Sequence, residues 1–353
     1  MKSKPIHRFM AFSFALMLTA CAQKTAIQAT KPAEIDVAGI KRVAIIDFRG
    51  PENSGASVAS AFVSKLFETG FYTIVERAEL QRVLEEHALN MAGVTDVETA
   101  VQAGNLLGVQ GVIVGDVIGY RCDDRRGREK VKEQVWTGEY EKDADGNIIY
   151  EKTLFGIKVK KKKYKEEFVD VEVIDREANV TLAFRLIDVE TAGIIASREA
   201  SHSYTKKIQT GKESLPPKNE VLANLGVRCV DEFVRALAPH RITVQTQFAK
   251  GNSEVNKGIE FAKNGLWDKA QEIWEQETQR DSRNDAAWYN LGLALEVAGD
   301  YMQAQDAYDQ AVTIKTKKLY MQGLKRIRER IEDNRRLQEQ LRKQNQVEAE
   351  EDM

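Results

Sequence analysis

Cysteine, histidine and proline are scarce in this chain of 353 residues, which holds 3, 4 and 6 of them. Three cysteines are too few for a disulfide scaffold, and they lack the paired spacing of a zinc site. The four histidines are scattered, and the sequence has no Walker loop, no His-Glu-x-x-His and no Gly-x-Gly-x-x-Gly motif. We therefore predict a protein that is not an enzyme and that holds no cofactor or metal ion.

The sequence also lacks a hydrophobic run that is long enough to cross a bilayer as a helix. The apolar run Phe9–Leu18 has about half of the ~20 residues that a membrane-spanning helix needs. It follows the basic residues Lys2, Lys4 and Arg8, and it ends in Leu18-Thr19-Ala20-Cys21. A basic region, a short apolar region and small residues, in this order, are typical of a signal peptide.

The ending Leu-x-Ala-Cys resembles the lipobox of bacterial lipoproteins. This resemblance implies that residues 1–20 form a lipoprotein signal peptide and that Cys21, acylated with palmitate or a similar chain, becomes the first residue. Ala22, where an Asp would favour the inner membrane, implies anchoring in the outer membrane, facing the periplasm. The alternative is an ordinary signal peptide that happens to contain a cysteine. Residues 21–38 show little periodicity and are predicted to be a tether.

Charge and length limit the remaining possibilities. The net charge is −2, and removal of Lys2, Lys4 and Arg8 makes it −5, so no basic field for nucleic acid is present. A chain of this length predicts two or more domains. Two cysteines remain after Cys21. Cys122 and Cys229 either pair in an oxidising periplasm or stay as free thiols, and the sequence leaves both possibilities open.

Strand and helix patterns alternate over residues 39–240 and predict an α/β domain. Strand patterns cover 41–48, 71–75 and 111–119, whereas helical patterns cover 56–68, 78–87, 97–107 and 219–237. The order strand, helix, strand, helices, strand favours a sheet with some parallel pairing. Pro239 is expected to end the last helix, and residues 241–252 are predicted to be a linker.

Within this α/β segment, several motifs resemble the CsgG-type outer-membrane lipoproteins of curli assembly and secretion. The motifs are Glu76-Arg77, Leu80, Val83-Leu84, Leu107-Gly108, Gly111–Gly115 and the hairpin Asn179–Thr205. The resemblance implies a CsgG-like periplasmic domain with extended β-hairpins. We expect Glu76 and Arg77, at a strand-to-helix junction, to form a structural ion pair, with a ligand-binding role as the alternative.

Residues 121–174 diverge from this pattern. In the resembled secretion channel each subunit gives two hairpins to a shared transmembrane barrel, and the first hairpin is inserted here. Lys160–Lys163 places charge on both faces of a strand, and the second insertion point, 206–219, is short and interrupted by Pro216-Pro217. We therefore predict a water-exposed β extension. Its lysine run is interpreted as a solvated strand edge, with contact to anionic lipid headgroups as the alternative.

A turn is predicted inside this divergent segment, at Asp143–Asn147. Its Asp-Gly pair between two extended runs is a hairpin signal. The acidic residues also suggest calcium, but the glycine is at the fourth position of the loop and the twelfth position is not a glutamate.

The C-terminal third contains a repeat with a period of 34 residues. It resembles the tetratricopeptide repeat, and the pattern predicts two repeats over 253–315 and a capping helix with a charged tail over 316–353. Small residues are expected to allow close helix crossing and aromatic residues to fill the space between the helices. The signature residues are Gly258, Trp267, Ala270 and Trp274 in the first copy, and Gly292, Tyr301, Ala304 and Tyr308 in the second.

Together these patterns predict a lipid-anchored assembly or scaffold protein of the cell envelope. The α/β domain is expected to self-associate or to bind envelope proteins, and the helical module is expected to bind a segment of a partner protein. One alternative is a subunit of an oligomeric channel that secretes curli-like fibre subunits. A further alternative, also implied by the resemblance, is a lipoprotein activator of a cell-wall synthase.

Overall fold

The computed structural model describes residues 24–37, 39–51, 54–75, 80–82, 85 and 97–351. The chain divides into two compact units. One contains the chain up to Pro32 together with Arg241–Gln338, and the other contains Ala33–His240 and Glu339–Met353. The predicted order of an α/β domain followed by a helical module is confirmed. Among the helices described, none has a stretch long and apolar enough to cross a membrane.

The α/β unit is built on a five-stranded sheet with the strand order β3-β2-β4-β7-β8. Strand β2 pairs in parallel with β3 and β4, as the sequence predicts, and β4, β7 and β8 pair antiparallel. The strands of this unit are β2 (Arg42–Ile45), β3 (Thr73–Ile74), β4 (Gly111–Tyr140), β5 (Tyr150–Lys152), β6 (Lys158–Lys160), β7 (Lys162–Asp188) and β8 (Ile194–Gln209). Its helices include α1 (Ser54–Phe67), α2 (Val97–Leu107) and α3 (Lys218–Leu237).

Both faces of the central strands are buried. Val43 and Ile45 of β2 join the hydrophobic cluster that includes α1 and α3, whereas Ala44 and Ile46 join the cluster that includes α2. This arrangement explains the nearly continuous apolar run at 41–48, because a strand that is covered on both faces needs no alternation. In the first cluster, Phe184 of β7 lies between Phe62 and Phe233, with ring centroids 5.8 and 4.5 Å away.

The helical unit combines antiparallel helix pairs with a two-stranded sheet. Its strands are β1 (Lys24–Lys31) and β9 (His240–Gln247), which pair with each other. Its helices are α4 (Ser253–Lys263), α5 (Trp267–Arg280), α6 (Asp285–Ala298), α7 (Tyr301–Ile314) and α8 (Lys318–Glu351), of which α8 contributes its last turns to the α/β unit.

Two segments that were predicted to be irregular are therefore strands. The tether predicted at 21–38 contains β1, and the linker predicted at 241–252 contains all of β9 except its first residue, His240. Ile27 of β1 is buried in the core of the helical unit, and the chain after β9 is fixed to α6, where the Asn290 side chain bonds the N–H and the C=O of Ala249 at 2.9 and 2.8 Å. These contacts order both segments.

Helix α8 also continues further than its composition suggests. Beyond Leu337 the sequence is rich in Gln, Arg, Lys and Glu, a composition that favours fraying at a chain end. Within the α/β unit, however, Gln340 bonds both backbone groups of Ala33, and Gln344 donates to the carbonyl of Phe71 at 2.6 Å. Buried amide side chains thus hold the end of the helix through directed hydrogen bonds.

Candidate interaction surfaces

The repeat-signature residues lie at the packing contacts of the helix pairs. Ala270, Trp274, Ala304 and Tyr308 are fully buried, whereas Trp267 and Tyr301 are half-buried at the first positions of α5 and α7. A Cβ atom at Gly258 would overlap the Trp274 indole, and one at Gly292 would lie 2.9 Å from the Tyr308 ring. Each glycine therefore permits an aromatic ring of the next helix to rest against the backbone.

A buried ion cluster links the second repeat to α8 inside the helical unit. Glu296 is fully buried and accepts hydrogen bonds from Arg326 at 2.8 Å and from the Tyr308 hydroxyl at 2.7 Å, and Arg330 forms an ion pair with it at 2.9 Å. Burial raises the pKa of Tyr308. Burial is also the largest single influence on Arg326 and lowers its pKa, but the hydrogen bonds to Glu296 and the neighbouring negative charges together raise that pKa above its ordinary value. Because one buried carboxylate serves two guanidinium groups, removal of Glu296 would leave both arginines without their anion.

A polar cavity of about 720 Å³ opens beside this cluster, within the helical unit. Arg326 lines one wall, and the exposed ammonium groups of Lys24 and Lys318 stand at its rim. Arg326 is paired with Glu296, so the exposed cations of the cavity are Lys24 and Lys318. The remaining lining residues are Gln245, Thr246, Gln247, Leu319 and Gln322. Amide, hydroxyl and ammonium groups around an open cavity suit a polar or acidic chain segment.

The most exposed part of the α/β unit is the end of the β4–β7 hairpin. Strand β8 accompanies β7 only as far as Val173, so residues 127–172 form a two-stranded arm. The predicted β extension over 121–174 is therefore present as this arm and the strand pairs at its base, and its side chains are mostly exposed. Cross-strand ion pairs line it, among them Arg128–Glu172 at 3.4 Å and Lys132–Glu166 at 3.2 Å. Charged side chains on exposed edges discourage pairing with other strands.

Arg176 fixes the base of the arm. Its guanidinium binds both oxygens of Asp124, at 2.6 and 2.8 Å, and donates another hydrogen bond to the Pro216 carbonyl. These bonds hold the arm and the segment before α3 together, and the hydrogen bonds from Arg176 lower the pKa of Asp124. The segment around Pro216-Pro217 is short, as predicted, and leads directly into α3 at Lys218.

The predicted turn at the end of β4 is present. Asp143 accepts hydrogen bonds from the backbone N–H groups of Asp145 and Asn147 at 3.0 and 2.8 Å. The carboxylate that suggested calcium therefore stabilises the turn itself. Across the parts of the chain that the structure describes, no group of three or more His, Cys, Asp or Glu is arranged to hold a metal ion.

The cysteines of the α/β unit are not joined. Cys122 is half-buried, Cys229 is buried, and both are free, so the disulfide alternative is wrong for this structure. Burial raises the pKa of Cys229 to about 11, which keeps it a thiol at neutral pH. The other predicted site residues, Cys21, Glu76 and Arg77, lie outside the described residues, and their roles remain predictions.

Most of the α/β unit lies within a match to a known family profile. The sequence profile described as "Curli production assembly/transport component CsgG" matches residues 29–215, which is more than half of the chain. The chain belongs to the CsgG family. The arm, the sheet beneath it and helices α1 and α2 all lie within the matched residues of this CsgG-family protein.

The helical unit matches a second profile, a domain of unknown function (DUF6340), over residues 256–343. No curated protein matches this CsgG-family chain. Among solved structures, the PelC dodecamer from Paraburkholderia phytofirmans is 14% identical, covers 61% of this chain and 98% of its own, and gives a TM-score of 0.26. The LpoB C-terminal domain from Salmonella enterica is 12% identical, covers 48% of this chain and 87% of its own, and gives a TM-score of 0.27.

A third solved structure aligns with a smaller part of the chain. The second TPR of Spaghetti (RPAP3), bound to an HSP90 peptide, is 18% identical, covers 27% of this chain and 89% of its own, and gives a TM-score of 0.22.

Sequence reasoning missed the polar cavity and the ion cluster beside it. The cavity is lined by β1 and β9, two strands that were predicted to be irregular, and by α8. One signal was present, because the segment Arg241–Gln245 alternates polar and apolar residues as a strand does. No local pattern indicates that Glu296 meets Arg326 and Arg330.

Proposed function

We propose that this CsgG-family protein is a lipid-anchored assembly or scaffold protein at the periplasmic face of the outer membrane. It binds protein partners of the envelope through its α/β unit and through the helical unit. The observation that supports this most is the polar cavity of the helical unit, whose exposed cations Lys24 and Lys318 can pair with an acidic segment of a partner. The family description, which names assembly and transport, agrees with this role.

Co-purification from native membranes, with the anchor intact, tests this proposal. We expect wild-type protein to retain a partner that Lys318→Glu loses at least tenfold, because the substitution reverses a charge at the cavity rim. Lys325→Glu is the matched control, since Lys325 lies on the same helix and is exposed but lies outside the cavity lining. The absence of both a stable partner and an oligomer would contradict the scaffold role, and equal losses in the two variants would exclude the cavity.

The anchor has its own test. Cys21→Ser removes the sulfur that the lipobox resemblance assigns to acylation, so we expect the protein to be released into the soluble periplasm or to remain unprocessed. Mass spectrometry of the N-terminal peptide distinguishes these two results. A correctly cleaved, unlipidated chain that stays in the outer membrane would contradict the proposal that acyl chains provide the stable anchor.

A second candidate is a subunit of an oligomeric secretion channel, which the word "transport" in the family description favours. A channel requires a ring-shaped oligomer in detergent and conductance in planar bilayers. Size-exclusion chromatography with light scattering and single-channel recording of the purified protein measure both properties. A monomer without conductance would exclude the channel and leave the scaffold role.

A further inference from the structure

The arm ends in a hairpin whose turn exposes apolar side chains. Strands β5 and β6 are joined by Thr153–Ile157, and the turn is closed by hydrogen bonds from Thr153 N–H to the Ile157 carbonyl at 2.9 Å and from Gly156 N–H to the Thr153 carbonyl at 2.8 Å. Leu154 is fully exposed, Phe155 is 91% exposed and Ile157 is also exposed. An ordered turn thus holds three apolar groups in water, where each would be more stable in an apolar environment.

Two lysines flank the turn that carries these apolar groups. Lys152 and Lys158 are opposite each other in the β5–β6 pair, and like charges in such positions are destabilising. Neither ammonium group has a carboxylate partner among the residues that the structure describes. From Lys152 to Lys163 the chain holds six lysines and no acidic residue, although Lys161 and Lys163 are neutralised by Glu141 and Glu139. An external anion would relieve the repulsion between Lys152 and Lys158.

Aromatic rings follow the lysines, further from the turn. Tyr150 lies opposite Lys160 in the β5–β6 pair, and Trp136 lies opposite Tyr164 on the arm itself. Lys160 and Lys162 rest over the rings of Tyr140 and Trp136, 5.3 and 5.0 Å from their centroids. Tyrosine and tryptophan are enriched where a bilayer meets water, because their rings are apolar and their tips are polar.

We propose that this hairpin end, residues 150–160, is a membrane-contact site for a bilayer that carries anionic headgroups. Leu154, Phe155 and Ile157 enter the interface between headgroups and acyl chains, and Lys152 and Lys158 contact the phosphates. An apolar turn followed by lysines matches the order of acyl chains and headgroups in a bilayer. This contact is separate from the acyl anchor and goes beyond the proposed scaffold function.

A fluorescence experiment on the full chain tests the contact. In a Cys122→Ser background, Phe155→Cys is labelled with an environment-sensitive fluorophore, and Cys229 is expected to stay unlabelled because it is buried. The protein is added to protein-free vesicles of phosphatidylcholine, with or without phosphatidylglycerol. We expect a blue shift, and quenching by a quencher on the lipid tails, only in the vesicles that contain phosphatidylglycerol. Asp145→Cys, in the neighbouring polar turn, carries the same label as the control and should keep its emission in water.

Charge reversal sharpens the result. Because each lysine near an anionic surface contributes about 1 kcal/mol, Lys152→Glu with Lys158→Glu should lower the ratio of inserted to exposed label by at least about 30-fold. Circular dichroism checks that the variants fold alike. Identical emission from positions 155 and 145 in both kinds of vesicle would overturn the proposal. A response in native envelopes but not in protein-free vesicles would overturn it in favour of an acidic protein partner. Neither outcome bears on partner capture through the helical unit.

Discussion

Strands β4 and β7 each contain two regions of opposite physical character. Near Val114 and Arg185, β4 and β7 lie inside the five-stranded sheet, and apolar side chains cover both faces. In the arm the same two strands continue the same hydrogen-bond ladder, but ion pairs line the ladder and most side chains meet water. The comparison teaches that a sheet can extend a ribbon beyond its hydrophobic core, although an isolated ribbon of this kind would be marginal.

The largest difference is expected between two phenylalanines of β7. Phe184 is fully buried in the sheet, and Phe184→Ala should lower the free energy of unfolding of the α/β unit by about 3–5 kcal/mol. Phe168 is 64% exposed on the arm, and Phe168→Ala should change it by less than about 0.5 kcal/mol. Denaturant titration of both variants measures this difference. Similar losses would show that the arm shares the core of the sheet.

A smaller effect is expected at Arg176, where the two regions meet. Arg176→Ala removes charge-assisted hydrogen bonds to Asp124 and to the Pro216 carbonyl, and should cost about 2 kcal/mol. Arg128→Ala, which removes an exposed pair on the arm, should cost at most about 1 kcal/mol. Unfolding midpoints of the two variants compare the two losses of stability. Equal losses would show that the boundary between the two regions does not lie at Arg176.

The same residue predicts a pH dependence. Hydrogen bonds from Arg176 lower the pKa of Asp124 below its ordinary value of 3.8, so the folded chain binds the proton less tightly than the unfolded chain. This contribution to stability is fully present well above pH 3.8 and is lost as the pH falls through the lower pKa of the folded state. Acid titration of unfolding should therefore be less steep in Arg176→Ala than in wild type. Parallel titrations would contradict the assignment.

The smallest effect is expected along the arm. Lys132 and Glu166 form an exposed pair at 3.2 Å, and a double-mutant cycle with alanine should give a coupling of about 0.2–1 kcal/mol. Added salt should reduce this coupling, because exposed charges are screened. A coupling that persists in high salt would indicate that water is excluded from the arm, as it is in the sheet.

Local patterns predicted the parts of the fold that depend on local sequence. Helices α1, α2 and α3 follow apolar spacing, and β2 and the first part of β4 follow apolar runs. The continuation of β4 to Tyr140 has no such signal, since its side chains alternate in charge and its stability comes from hydrogen bonds to β7. Pattern alone therefore indicated an extension but not its length.

Contacts between residues that are distant in sequence account for what the sequence did not reveal. Strand β1 pairs with β9 across more than 200 residues, as the hydrogen bond from Gln28 to Thr243 at 3.1 Å illustrates. A short polar segment near the chain start offers no sign of such a partner. In the same way Glu296 looks like an ordinary surface acid of an amphipathic helix, and only the position of Arg326 and Arg330 makes its burial tolerable.

Because β1 begins at Lys24, only a short segment separates it from the proposed anchor at Cys21. Three residue steps separate Cys21 from Lys24, and a fully extended chain covers at most about 11 Å in that distance. If Cys21 carries acyl chains as proposed, the first strand of the helical unit would therefore begin no more than about 11 Å from the acylated residue.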